Sequence, residues 1–303
     1  MKRVQKSGIV AFIFYGNYFY GVCAVALTVE ATLQQLFPLN DYWYLFLVFI
    51  TTVLYYSYPY IQKLPYSNNP RTNWYSKNYN LMWWNQVIIT IVLILAAIGL
   101  LQQHWAAILQ MRLTEWLLLL VFPVVAGLYY GISFLSRKYN IRRIGWLKPF
   151  IIGFTWAGLV TVYPILFYDI IHLQSYEFTL AAVLLTIKNF MFVSVLCIMF
   201  DIKDYAADHV NRLKTFVVRA GLRKTIFNIL LPLCIVGLVS FIYFALFRHF
   251  NPVRIILNII PFLALLLVAR SLRKRRTIMY YLVVVDGVML VKAICGTIAI
   301  LYF

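Results

Sequence analysis

Acidic side chains are scarce in this chain. Nine Asp and Glu face 27 Lys and Arg in 303 residues, a formal charge of +18. Charged residues of both signs make up 12%, about half the share in soluble domains, which excludes an ordinary solvated surface. Cysteine is sparse too. Cys23, Cys197, Cys234 and Cys295 each sit alone in an apolar run with no C-x-x-C, a pattern that fits packing rather than a disulfide framework or a zinc site. The histidines, His104, His172, His209 and His249, are scattered, and there is no Walker-type loop, H-E-x-x-H or serine–histidine pattern. No polar stretch is long enough for a separate soluble domain, so nucleic-acid binding has nothing to carry it.

Apolar sequence fills the space instead: 63% of residues are hydrophobic and 18% aromatic. Runs of about 18 or more apolar residues match the roughly 30 Å hydrocarbon layer. Nine occur, at 9–29, 42–60, 81–101, 116–134, 150–168, 178–200, 226–246, 253–269 and 279–302. They lack the alternation of barrel strands, and backbone groups in lipid must satisfy one another. The expected fold is therefore all-α: one polytopic transmembrane helical bundle over residues 1–303. The basic start and apolar stretch of "MKRVQKSGIVAFIFYGNYFYGVCAVA" also fit a signal peptide, but the bulky aromatic run reads as a retained first span.

The basic residues test this count. Assigning the polar segments alternately to two sides puts 22 of the 27 Lys and Arg on one side; Arg112, Arg248 and Arg254 fall on the other, and Lys188 and Lys292 fall inside spans. Basic residues accumulate in cytoplasmic loops. The expected location is thus the inner membrane, N-terminus cytoplasmic and C-terminus outside. Most of the +18 is then an orientation signal, with attraction to an anionic leaflet of about 1 kcal/mol per residue. Glu30, Asp41, Glu115, Asp169 and Glu177 fall in or beside the outer connections. The two longest basic-side segments, 61–80 and 201–225, follow the second and sixth runs, which suggests a repeat of helix architecture.

Three of the nine acids, Asp201, Asp204 and Asp208, lie within eight positions of "FDIKDYAADHVNRLKTFVVRAG". Their i, i+3, i+7 spacing puts them on one helix face. Such carboxylates repel unless a cation sits among them, and Mg²⁺ uses one or two carboxylates together with substrate phosphate oxygens. Arg142, Arg143, Lys148, Arg212 and Lys214 supply charge for a diphosphate. The same spacing equally suits an interfacial helix end paired with Lys203 and Arg212 at about 0–1 kcal/mol per pair.

These residues resemble the second aspartate-rich motif of the UbiA-type aromatic prenyltransferases, especially the menaquinone branch. The match falls on Asp201, Asp204, Asp208, Lys214, Thr215, Val218, Arg219 and Gly221; "SRKYNIRRIGWLKPFIIGFTWAG" resembles the family's inner loop and fifth span. The resemblance implies a nine-span prenyltransferase that moves a prenyl chain from a polyprenyl diphosphate to a small, often aromatic acceptor. It implies Mg²⁺ as cofactor, held by Asp201, Asp204 and Asp208, with Arg142, Arg143, Lys214 and Arg71 on the diphosphate. The family's first motif, N-D-x-x-D-x-x-x-D after the second span, is missing: no Asp or Glu lies between Asp41 and Glu115. Asn68, Asn69 and Gln62 are poor replacements, which leaves Lys63 or Arg71 to substitute for a second metal. A relative that binds an isoprenoid diphosphate or anionic lipid without turnover is the alternative.

Polar residues inside spans are functional candidates by default. Lys188, Lys292 and Asp286 fit either helix-fixing pairs, Lys188–Asp286 or Lys292–Asp286, or a polar path through an ion-coupled transporter. Asn17 fits an interhelical hydrogen bond.

Overall fold

The computed structural model describes residues 8–61, 69–130, 145–177, 179–210, 215–247 and 249–303. Every regular element among them is helical. In chain order the main helices are α1 (Gly8–Tyr15), α2 (Tyr18–Gln34), α3 (Tyr42–Ser57), α4 (Pro70–Lys77), α5 (Tyr79–Gln103), α6 (Leu113–Tyr130), α7 (Gly145–Ile171), α8 (Leu180–Val210), α9 (Phe216–Ala220), α10 (Leu222–Leu246), α11 (Pro252–Ser271) and α12 (Ile278–Tyr302). Six of these, α5, α7, α8, α10, α11 and α12, are long and apolar enough to cross a membrane, and α1 with α2 makes a seventh if that bent pair is one span.

The second run forms a shorter helix than expected. Asp41 starts α3, its carboxylate accepting the Tyr44 amide at 2.8 Å, and the helix has 16 residues, roughly 24 Å at 1.5 Å per residue. The first run is not one straight span. It breaks at Gly16 and Asn17, bends by 57° and continues to Gln34. Glu30, expected near an outer connection, therefore lies within α2 and is fully buried. The basic-side segment after α3 carries α4, with Pro70 at its first position and Asn69 capping the Arg71 amide.

Burial separates core from rim. In the most apolar stretches of α7, α8 and α12, 56%, 50% and 44% of residues are buried, against 17% in α5 and in α10. Helix α2 packs on α3, α7 and α12; α7 packs along α8, and α11 runs between α10 and α12. Lipid is as apolar as Leu, so close packing rather than water exclusion holds such helices together. Gly153 on α7 allows a close contact with α8: a Cβ there would fall on the Ser194 hydroxyl and within 2.8 Å of the Phe190 carbonyl. Three π-helical turns interrupt the core helices, at Gly158–Val162, Thr225–Leu230 and Tyr281–Val285. Such turns are rare and favour functional positions; the third ends one residue before Asp286.

Candidate functional site

The helix break creates the first half of the site. Asn17 adopts the left-handed conformation, φ 67°, which Asn tolerates better than most residues. Its side chain is fully buried. The amide donates to Ser57 Oγ and to Tyr75 Oη, both at 3.1 Å, while its oxygen accepts from Arg71 Nη2. Arg71 Nε also donates to the Tyr15 carbonyl at 3.2 Å, and its guanidinium lies 4.4 Å from the Tyr60 ring centroid. Burial lifts the Tyr75 phenol above its ordinary range, against the pull of Arg71, so Tyr75 stays neutral. Arg71, only 6% exposed, has no described carboxylate within ion-pair distance. A buried cation with neutral partners is costly. Asp286 is near enough to act on it electrostatically.

Asp286 forms the centre. The Tyr20 phenol is close enough to interact with its carboxylate, and Oδ2 is buried without a partner. Tyr20 stacks on Tyr56 at 4.5 Å with 8° between planes, and Trp156 closes the third side, 6.5 and 6.2 Å from the two rings. Trp156 Nε1 donates to Tyr56 Oη at 2.6 Å. Helices α2, α3, α7 and α12 thus bring three aromatic faces and one carboxylate together deep in the bundle.

The aspartate run lies on α8, toward the basic face. Asp201 is fully buried; Lys148 of α7 donates to its Oδ1 at 2.8 Å, and its Oδ2 is unpartnered. Asp204, 40% exposed, pairs with Lys203 at 3.3 Å. One turn before Asp201, Cys197 is close enough to interact with both Asp201 and Asp286, so the two carboxylates flank one stretch of α8. Asp208 continues the helix, but its side chain, with Arg142, Arg143 and Lys214, lies outside the described residues. No group of three or more His, Cys, Asp or Glu suited to a metal occurs among the described residues. The chemistry of Asp201 and Asp204 does fit Mg²⁺: a spare buried oxygen and a second carboxylate one turn on, beside an accessible face, are the one-or-two-carboxylate set this ion takes with phosphate.

The intramembrane lysines behave differently from expectation. Lys292 pairs with Glu30 of α2 at 2.5 Å, not with Asp286, and Gln34 donates to the other Glu30 oxygen at 2.8 Å. Gly296, one turn after Lys292, makes room: a Cβ there would lie 2.5 Å from Glu30 Oε1. Lys188 makes no ion pair among the described residues; its ammonium lies 5.7 Å from the Phe241 ring centroid. Asp286 has neither lysine as an ion-pair partner.

No family model matches the chain, and no curated protein or solved structure matches it either.

Proposed function

We propose that this chain is an intramembrane prenyltransferase of UbiA-like, nine-span architecture, moving a prenyl group from a polyprenyl diphosphate to a small, aromatic acceptor. In this reading α1–α2, α3 and α6 complete the nine spans, and the basic face is cytoplasmic, with the N-terminus inside and the C-terminus outside. One observation carries the proposal: a buried carboxylate with a free oxygen, Asp286, sits against three aromatic faces, and the Asp201–Asp204 helix turn leads from it to the basic surface. That is the layout needed by a reaction with an anionic leaving group at one end and an allylic cation at the other.

The diphosphate head would rest at Asp201 and Asp204, with Lys148 and Lys203 beside it. Mg²⁺, held by Asp201, Asp204 and Asp208, would offset the charge of the diphosphate as it leaves. Arg142, Arg143 and Lys214 would take its remaining oxygens, while Arg71 lends charge from within rather than by direct contact. The C1–O bond of the donor breaks with its electron pair leaving on diphosphate. Tyr20, Tyr56 and Trp156 then face the allylic cation, a contact worth about 2 kcal/mol or more when desolvated. A nucleophilic carbon or oxygen of the acceptor gives its pair to C1, and the proton it sheds passes to Asp286 Oδ2. The surrounding helices exclude water that would quench the cation.

A second reading is favoured by the Lys148–Asp201 pair, in which a lysine already occupies the place of a metal. The chain would then bind an isoprenoid diphosphate without turnover. Purified protein in nanodiscs, supplied with geranylgeranyl diphosphate with and without Mg²⁺, separates the two: diphosphate release supports transfer chemistry, and thermal stabilisation without release supports binding alone.

A further inference from the structure

A second polar feature opens on the basic face and shares only Lys203 with the groups above. It is a cleft of about 890 Å³ between the end of α8, the start of α10 and the turn joining α11 to α12. Six cations line it: Lys203, Arg223, Arg273, Lys274, Arg275 and Arg276. Among the described residues no carboxylate does. Ile202, Ile226, Phe227, Leu272 and Tyr281 line its apolar side. Asp201 turns from this cleft toward Lys148 on α7.

The turn that presents four of the cations is fixed by its own bonds. Leu272, Arg273 and Lys274 amides return to Val268, Arg270 and Ser271 carbonyls, and Thr277 caps the first turn of α12. Arg276 Nε donates to the Ser271 carbonyl at 3.1 Å, and its guanidinium lies 4.7 Å from the Tyr280 ring centroid; Arg273 lies equally close to Phe227. Among the described residues only Lys203 of the six has a carboxylate partner, Asp204. Five arginines and lysines of one sign, held in a concave site with no described counter-charge, repel one another until an anion enters. A loop that only needs attraction to the leaflet can spread its charges over a convex surface. Here they converge over an apolar floor at the end of the helices, where headgroups lie.

We infer that this cleft is a binding site for a multiply charged phosphate group, presented on a membrane lipid or free in solution, whose apolar neighbour rests on Phe227 and Ile226. Guanidinium forks suit phosphate oxygens, and the volume is in the range of ligand pockets. This inference does not need the transferase reading: phosphate binding in the cleft and release of diphosphate at Asp204 are separate measurements.

The test uses the full chain in nanodiscs of phosphatidylcholine alone, or with a tenth of the lipid replaced by phosphatidate. Inorganic diphosphate is added to the neutral discs as a separate arm. Retained lipid is counted by native mass spectrometry, and affinity is read from thermal-shift titrations. Saturable uptake of phosphatidate alone identifies a lipid headgroup as the ligand. Uptake of inorganic diphosphate as well identifies the phosphate group itself. The Arg223→Gln, Arg273→Gln, Arg275→Gln triple variant is expected to bind roughly 100-fold more weakly, the matching Lys triple to retain most binding, and Lys77→Gln with Lys224→Gln, outside the cleft on the same face, to bind as the parent. No saturable binding of either probe overturns the inference. So does an equal loss in the Lys77/Lys224 control, because that reports charge alone.

Discussion

Asn17 bridges Arg71, Ser57 and Tyr75 while holding the left-handed turn that bends the first span. Asn17→Ala should destabilise the protein by about 1–3 kcal/mol, because it leaves buried donors unpaired and puts alanine at positive φ. Thermal unfolding in detergent, compared with Asn17→Gly, which relieves the backbone but not the donors, divides the two costs. The sequence fits Asn17 to an interhelical hydrogen bond, and the structure has three. What the sequence reading missed was the backbone: Gly16-Asn17 was the available signal, since both residues accept conformations that continue no helix. Tyr20, Tyr56 and Trp156 were not separable from the other aromatics, because 23 Tyr, 23 Phe and 8 Trp serve mostly as lipid-facing and interfacial contacts.

Between elements, the Glu30–Lys292 pair is the firmest polar tie, joining α2 to α12 inside the apolar layer. Glu30→Gln or Lys292→Met should cost about 3–5 kcal/mol by stranding a buried charge, whereas the double change to Glu30→Met and Lys292→Met should recover most of that loss. Reversible unfolding of the three variants would measure it; equal damage in single and double variants would mean the site is held by shape alone. Helix existence was legible from apolar runs, and the break at Asn17 and the π turns were not: hydropathy reports which residues avoid water and carries little information about hydrogen-bond register. The Lys292 partner was misread for the same reason, since depth along a span does not specify which face of a neighbouring helix meets it.

At the scale of the whole molecule, the sequence divides its Lys and Arg unequally between alternate polar segments, a division that sets an expected orientation. Single-cysteine labelling tests that division. With the four native cysteines replaced by Ser or Ala, Lys77→Cys and Lys274→Cys should react with impermeant maleimide from one side only, and Asn40→Cys and Asn251→Cys only from the other. Reactivity of all four from one side would require a different number of crossings. The helical class was readable because it depends on composition summed over long stretches. The site was readable only where acids are scarce: Asp201, Asp204 and Asp286 stood out among nine carboxylates, and the cleft around Arg273 did not stand out among 27 cations.

A carboxylate-bearing turn of α8, leading inward to an aromatic-lined acid, can serve transfer only if the donor's head is ionised there. Diphosphate release from geranylgeranyl diphosphate by nanodisc-held protein, followed over time with Mg²⁺ or excess chelator, tests this most directly. The expected result is Mg²⁺-dependent release, lowered at least about 100-fold in Asp204→Asn, with the variant folded by thermal shift. Release that ignores both the ion and Asp204, or none at all from protein that binds the donor, would contradict it.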